Sequence, residues 1–316
     1  MSGDRTAIGI DVGGTKIAGG VVDVRGRILV EYQVESPATD SEAIEDSIAE
    51  LVGRLRAEHD AATVGVGAAG YVDQHRATVM FAPNIAWRDV DLKAELEERI
   101  DLPVVVENDA NAAAWGEFAF GAGKDIDDLL LLTIGTGVGG GIVKDGELYR
   151  GAFGVAAEVG HLRVVPGGRI CGCGNRGCLE AYGSGSALVK IAKEEIAEGS
   201  LLARNLVDLA GGDPDAVTGP LITGAAEDGD LFAREQLANL GRWIGEAIAS
   251  LTAVLDPAMT VIGGGVSRAG DLLLEPIRQA FGQQLTGRGH RPVQEITLAR
   301  LGNRAGMIGA ADLSRR

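Results

Sequence analysis

The sequence predicts an α/β protein built from two related halves, and three observations carry that expectation. Short apolar runs of strand length alternate with longer segments whose apolar residues recur at helical spacing. The plan of strand, glycine loop and strand occurs twice, as IDVGGTKIAGGVV at 10–22 and IGTGVGGGIV at 134–143. The 316 residues suffice for two domains of ordinary size. Each copy opens what reads as a separate α/β domain. Two related halves that each present a glycine loop suggest an interdomain cleft holding a phosphate chain.

Residues 6–12 (TAIGIDV) read as a buried strand, and 17–23 and 28–34 as two more, with Val24-Arg25-Gly26-Arg27 as the turn between the last two. Over 41–58 the period changes. Ile44, Ile48, Leu51 and Leu55 share a helical face, and Asp40 or Ser41 supplies the cap. Strands follow at 63–68 and 103–107, then a short helix from Asp109 through Glu117. The second half starts with a strand at 129–134 (LLLLTI), a glycine loop, a return strand at 141–144 and a tight turn at Lys144-Asp145-Gly146-Glu147. The longest helix spans 230–255, with Leu237, Leu240, Ile244, Ile248, Leu251 and Leu255 on one face. A strand at 259–262 ends in Gly263-Gly264-Gly265; helix 271–282, strand 294–299 and a helix from about 303 follow.

Composition narrows the function classes. Hydrophobic residues at 46% and charged residues at 23% describe a globular chain rather than a disordered one. A net charge of -16 argues against a nucleic-acid partner, since affinity for the phosphate backbone comes from clustered Lys and Arg. It leaves small phosphate compounds open, because backbone N–H groups and a metal bind them locally. MSGDRTAIGID does not read as a signal peptide, and no run approaches the ~18 apolar residues of a membrane span, so a cytoplasmic protein without a membrane partner is expected. The 48 glycines are about twice the usual share of roughly 7%. They are expected at the ends of apolar segments, where backbone turns sharply or approaches a ligand.

In DVGGTK, Gly13 and Gly14 let backbone N–H groups face an anion, Thr15 adds a hydroxyl, Lys16 a counter-charge, and Asp11 a carboxylate for Mg²⁺ through water. A plain hairpin turn is the bland reading. Gly135-Thr136-Gly137 with Gly139 repeats the chemistry, and Gly263, Gly264 and Gly265 offer a close approach suited to a base or ribose. Neither a P-loop nor a dinucleotide fingerprint is present. Three such loops point to a nucleotide.

CGCGNRGC at 171–178 follows His161 by ten residues, so His161, Cys171, Cys173 and Cys178 form a Cys₃His set, a normal closed tetrahedral zinc site. A disulfide between Cys171 and Cys173 would be strained, and a site with four protein ligands is structural rather than catalytic. Asn108 and Asp109 stand at a strand end, where α/β folds place ligand groups, though Asp109 equally suits a helix N-cap. Glu158 and Glu180 flank the metal set and could be solvated charges; Asn84 could be a turn residue. Together these carboxylates and amides suit the hydroxyls of a sugar. Trp87 reads as core.

DVGGTK, GTGVGGG, ENDANAAAWGE at 107–117, EVGH at 158–161 and CGCGNRGCLE at 171–180 together resemble the ROK family of repressors, open reading frames and kinases, over essentially the whole chain. The resemblance implies the actin-like (ribonuclease H-like) two-domain fold with an interdomain active-site cleft. The boundaries are then 1–108, completed by 303–316, and 109–302. It implies that Asp109 is the catalytic base, that Asn84, Asn108, Asp109, Glu158, His161 and Glu180 contact a sugar, and that His161 joins zinc to substrate. Repressor members carry an N-terminal helix-turn-helix, for which this chain, with its first strand by residue 6, lacks room. GAAGYVD at 67–73 and APNIAW at 82–87 look most like the family's glucokinases. The expectation is therefore transfer of the ATP γ-phosphate to the glucose 6-hydroxyl, with Mg²⁺ and structural Zn²⁺, by a homo-oligomer (dimer or tetramer). N-acetylhexosamine kinases and a non-catalytic sugar sensor are the alternatives, and polyphosphate an alternative donor.

Overall fold

The structure, a computed structural model, describes residues 6–316. Its elements run β1 (Ala7–Val12), β2 (Lys16–Val22), β3 (Ile28–Glu35), α1 (Ser41–Glu58), β4 (Val64–Ala68), β5 (Tyr71–Val72), β6 (Val79–Phe81), β7 (Arg88–Val90), α2 (Leu92–Arg99), β8 (Val104–Asn108) and α3 (Asp109–Phe120). They continue with β9 (Leu129–Ile134), β10 (Val138–Lys144), β11 (Glu147–Leu148), α4 (Glu180–Gly183), α5 (Gly185–Ala197), α6 (Arg204–Leu209), α7 (Gly219–Glu227), α8 (Leu231–Leu255), β12 (Met259–Gly263), α9 (Asp271–Gln284), β13 (Glu295–Leu298) and α10 (Ala305–Leu313).

One five-stranded sheet has the order β3-β2-β1-β4-β8 and the other β11-β10-β9-β12-β13. Numbered along the chain, the strands of both sheets follow the same order, so the echo of glycine loops is a repeat of whole sheets. In the first sheet β1, β2 and β3 are antiparallel, and β4 and β8 add in parallel. β1 is buried along nearly its whole length, as its unbroken apolar run requires. β3 alternates at the sheet edge, packing Val30, Tyr32 and Val34 on the core. A separate small sheet, β5-β6-β7, was not anticipated.

The chain divides into two compact units. The first holds the described residues up to Leu131 with Gly140–Ala157 and Arg300–Arg316; the second holds Leu132–Gly139 and Glu158–Ala299. In the first, α1 is capped by Asp40, whose carboxylate accepts Ala43 N–H, and buries Ile44, Ile48, Leu51, Val52 and Leu55. Trp87 is fully buried in the same core. α10 packs on β1, β4 and α3 and is buried on every side, which its small and apolar residues permit, with Asp312 as its one charged side chain. Trp115 Nε1 donates to Asp312 Oδ2 at 2.9 Å and locks α3 to α10. In the second unit α8 packs on α9, with Leu237, Leu240, Ile244 and Ile248 buried as expected and Leu251 and Leu255 only partly covered.

Several glycines lie inside elements rather than at their ends, a correction to the expected distribution. A Cβ built on Gly65 in β4 would stand 1.8 Å from Ala310 O, and one on Gly309 in α10 would stand 1.8 Å from Ala112 O. No side chain fits there, so helix backbone rests directly on strand and helix backbone. Gly65→Ala is expected to destabilise the protein by about 1–3 kcal/mol or more, because α10 must move as a body. A urea unfolding midpoint equal to wild type would contradict this packing account. Among the described residues no helix is long and apolar enough to cross a membrane.

Candidate active site and metal cluster

The first unit carries Asp11, the first glycine loop, Asn84, Asn108 and Asp109. Asp11 lies near the end of β1, and Gly13, Gly14 and Thr15 form the hairpin to Lys16. Gly13 N–H donates to the Lys16 carbonyl at 3.0 Å, which takes that amide out of the set offered to an anion. Gly14 lies against Asn84: an added Cβ would sit 3.3 Å from Asn84 O. The loop and Asn84 are therefore neighbours, with the Asn84 side chain exposed.

The cap of α3 is Asn108, whose Oδ1 accepts Asn111 N–H at 2.9 Å. The alternative that Asp109 caps the helix is thereby corrected; Asp109 is its first residue. Asn108 Nδ2 donates to Gly70 O at 3.1 Å and to Asp109 Oδ1 at 3.2 Å, so most of this amide's bonding capacity is committed to the fold. Ala110 N–H also donates to Asp109 Oδ1, at 2.9 Å. Glu107, 1% exposed, anchors the segment from behind. Its Oε1 accepts Asn108 N–H and Asn111 Nδ2, and its Oε2 faces Arg150 Nε at 2.7 Å and Arg76 Nε at 3.3 Å. Burial pushes the Asp109 carboxyl up to about 6 against the hydrogen bonds from Ala110, its own N–H and Asn108. Burial, reinforced by the Asp109 charge and opposed by Lys16, pushes Asp11 up to about 7. An aspartate held near 6 is matched to proton acceptance around neutral pH.

The second unit carries the other two glycine loops and the cysteine cluster. Gly135 N–H donates to Gly137 O at 3.0 Å, closing the loop between β9 and β10. Gly264, at φ +84°, lies against the end of β9, where a Cβ would stand 2.4 Å from Ile134 O. Gly185, at the start of α5, donates its N–H to Gly135 O at 2.8 Å. Gly135 and Gly264 are thus brought together. Gly185 joins them unanticipated; its signal in the sequence was the Ser184 cap before a helical run, and nothing local tied it to Gly135.

Glu158 precedes a single helical turn at Val159–His161. His161 Nε2 lies 3.9 Å from Glu158 Oε2, and its Nδ1 lies 3.6 Å from Cys171 Sγ. Cys173 and Cys178 Sγ are 3.8 Å apart, and the ligand atoms of His161, Cys171, Cys173 and Cys178 all lie within 4.8 Å of one another. The three cysteines are free thiols. Ideal tetrahedral zinc bonds put sulfurs about 3.8 Å apart and a sulfur–nitrogen edge at about 3.6 Å, so both short edges already have the spacing of a metal-bound set. Burial pushes the Cys171 thiol up to about 12, a cost that a divalent cation reverses. The donor set fits zinc. Glu180, at the start of α4, lies beside the cluster, with Oε1 3.5 Å from Cys171 Sγ.

The chain matches the model of the ROK family over residues 7–316 and belongs to that family. It is similar to a glucokinase of Streptomyces coelicolor, 51% identical over 308 residues that cover 98% of this chain and 97% of the relative. It superposes on a ROK family glucokinase from Streptomyces griseus, solved in complex with glucose and AMPPNP, at a TM-score of 0.90 and 51% identity, covering 98% of this chain and 99% of that one. A ROK hexokinase from Thermus thermophilus gives a TM-score of 0.78 at 35% identity, covering 97% of this chain and 96% of that one. These neighbours bear out the actin-like two-domain sugar-kinase fold.

Proposed function

We propose that this protein is an ATP-dependent glucokinase that transfers the γ-phosphate of ATP to the 6-hydroxyl of glucose. The observation that carries the reading is the whole-chain likeness to an enzyme solved with both glucose and AMPPNP. In this reading Asp109 is the general base. Its hydrogen bonds from Asn108 and Ala110 fall on Oδ1, which makes Oδ2 the oxygen offered to the 6-hydroxyl. Asn84, Asn108, Glu158, His161 and Glu180 bind the sugar. His161 turns Nδ1 to the cysteines and Nε2 away from them, which supports a split between metal and sugar.

The nucleotide is assigned to Asp11, Gly13, Gly14, Thr15 and Lys16, to Gly135, Thr136, Gly137 and Gly139, and to Gly263, Gly264 and Gly265. Asp11 fits Mg²⁺, being a hard oxygen donor whose ionisation is otherwise opposed by burial and Asp109. When bound, that ion neutralises charge on the phosphates. Phosphoryl transfer has a loose transition state, so these residues act mainly by positioning and charge stabilisation. Zinc on His161, Cys171, Cys173 and Cys178 is structural, and the protein is a cytoplasmic homo-oligomer.

The test is ADP release from Mg-ATP with single sugars: glucose, mannose, fructose, N-acetylglucosamine and N-acetylmannosamine. Turnover is expected with glucose, with the product phosphorylated at position 6. Preference for an acetamido sugar would replace the substrate assignment, and no turnover with any of them would remove the kinase reading.

A further inference from the structure

Glu180 faces two ways within one unit. Its Oε1 points at the metal cluster, while its Oε2 accepts the backbone N–H of Val138 at 3.1 Å. Val138 directly follows Gly135-Thr136-Gly137 and is 7% exposed. Gly137 makes room for this contact: a Cβ there would stand 2.4 Å from Glu180 Oε2. The same residue is pressed from another side. A Cβ on Gly160, in the turn between Glu158 and His161, would stand 2.1 Å from Val138 O. Leu179 N–H donates to Leu162 O at 2.8 Å and ties the segment carrying Glu180 to that turn. The metal-bearing loop therefore grips the end of the second glycine loop through one carboxylate and one backbone contact.

We infer that Glu180 is a positioning residue for the nucleotide, holding the loop so that the Thr136 and Gly137 amides, the two that neither Gly137 O nor Glu180 takes up, receive phosphate. The inference rests on the kinase reading above and extends it. A glycine-rich loop that binds an anion through its peptide N–H groups does so well only when its peptide planes are held in place, since otherwise the ordering cost falls on binding. Glu180 supplies that order from outside the loop. A buried N–H that loses its acceptor costs about 1–3 kcal/mol, equivalent to about 5- to 150-fold in affinity when binding restores the order. A residue serving the sugar alone would leave nucleotide affinity untouched in the absence of sugar. With one carboxylate shared between sugar and loop, binding of glucose and of ATP becomes coupled.

The experiment is calorimetric binding of Mg-AMPPNP without sugar, on protein carrying its zinc. Glu180→Ala is expected to weaken binding by about 5- to 150-fold. Glu180→Gln is expected to recover most of it, because the amide oxygen accepts the same N–H, while glucose affinity stays low in both variants. Amide exchange over 134–139 should be faster in E180A and unchanged in E180Q. Where E180A loses zinc, Glu180→Asp keeps the charge and shortens the reach, and should weaken nucleotide binding likewise. Wild-type affinity in E180A or, in its place, E180D overturns the inference. A wild-type protein that binds no Mg-AMPPNP overturns the kinase reading and this inference with it.

Discussion

Replacing Asp109 with asparagine is expected to lower kcat by at least about 10²-fold, the usual worth of a positioned general base, with little change in glucose affinity. The geometry favours a clean result. Asn108, not Asp109, caps α3, so the substitution leaves the helix start intact. In the wild type kcat/KM should fall as pH drops through about 6, where Asp109 takes up its proton. Asp11, pushed up to about 7 partly by Asp109, titrates with it, so the acid limb belongs to the pair. The same substitution should make the protein more stable. The Asp109 carboxyl goes from 3.8 in the unfolded chain to about 6 in the folded one, so the native state binds its proton more tightly and gains stability as pH falls between those values. Above them the buried charge is a net cost, on the order of 1–3 kcal/mol. D109N should therefore melt higher than wild type at pH 8, with the difference gone near pH 4. Near-normal kcat in D109N would remove Asp109 from its role.

Removing the metal is the second large effect. The loop from Glu158 to Glu180 has little regular structure beyond a helical turn, two isolated bridges and a few backbone hydrogen bonds, so in the proposed reading the ion and its four ligands would be its main brace. Cys178→Ser, or chelation, is expected to lower glucose affinity by at least about 10-fold, because His161 loses the partner that orients its ring. Zinc added back to the chelated protein should restore it, and elemental analysis should find about one zinc per chain. A metal-free protein that binds glucose normally would end the structural-zinc account.

Much of this was legible because the signals are short-range. The strand–glycine–strand plan, the Cys₃His spacing and the faces of α1 and α8 depend on neighbours in the chain. The cap of α3 was not, since Asn108 and Asp109 are equally good caps and a shift of one residue decides between them. β5, β6 and β7 have only two or three residues each, too few to show a period, and α4 has four. Gly65 and Gly309 look like any glycine in a strand or helix; their reason is a contact from the far end of the chain. Gly185 is similar, its partner Gly135 being fifty residues away in sequence.

The burial of α10 bears on biosynthesis. α10 is buried against β1, β4 and α3, so the core of the unit that begins first is completed by residues 305–313. On the ribosome β1 and β4 emerge early, yet the backbone surfaces at Gly9 and Gly65 have no cover until nearly the whole chain has been made. The second unit, contained between Leu132 and Ala299, can close before then. Folding should therefore run against the order of synthesis, with the early unit waiting as an aggregation-prone half until release. A premature stop that removes only the last dozen residues would leave the chemistry of every proposed site residue intact and still yield a chain that never matures.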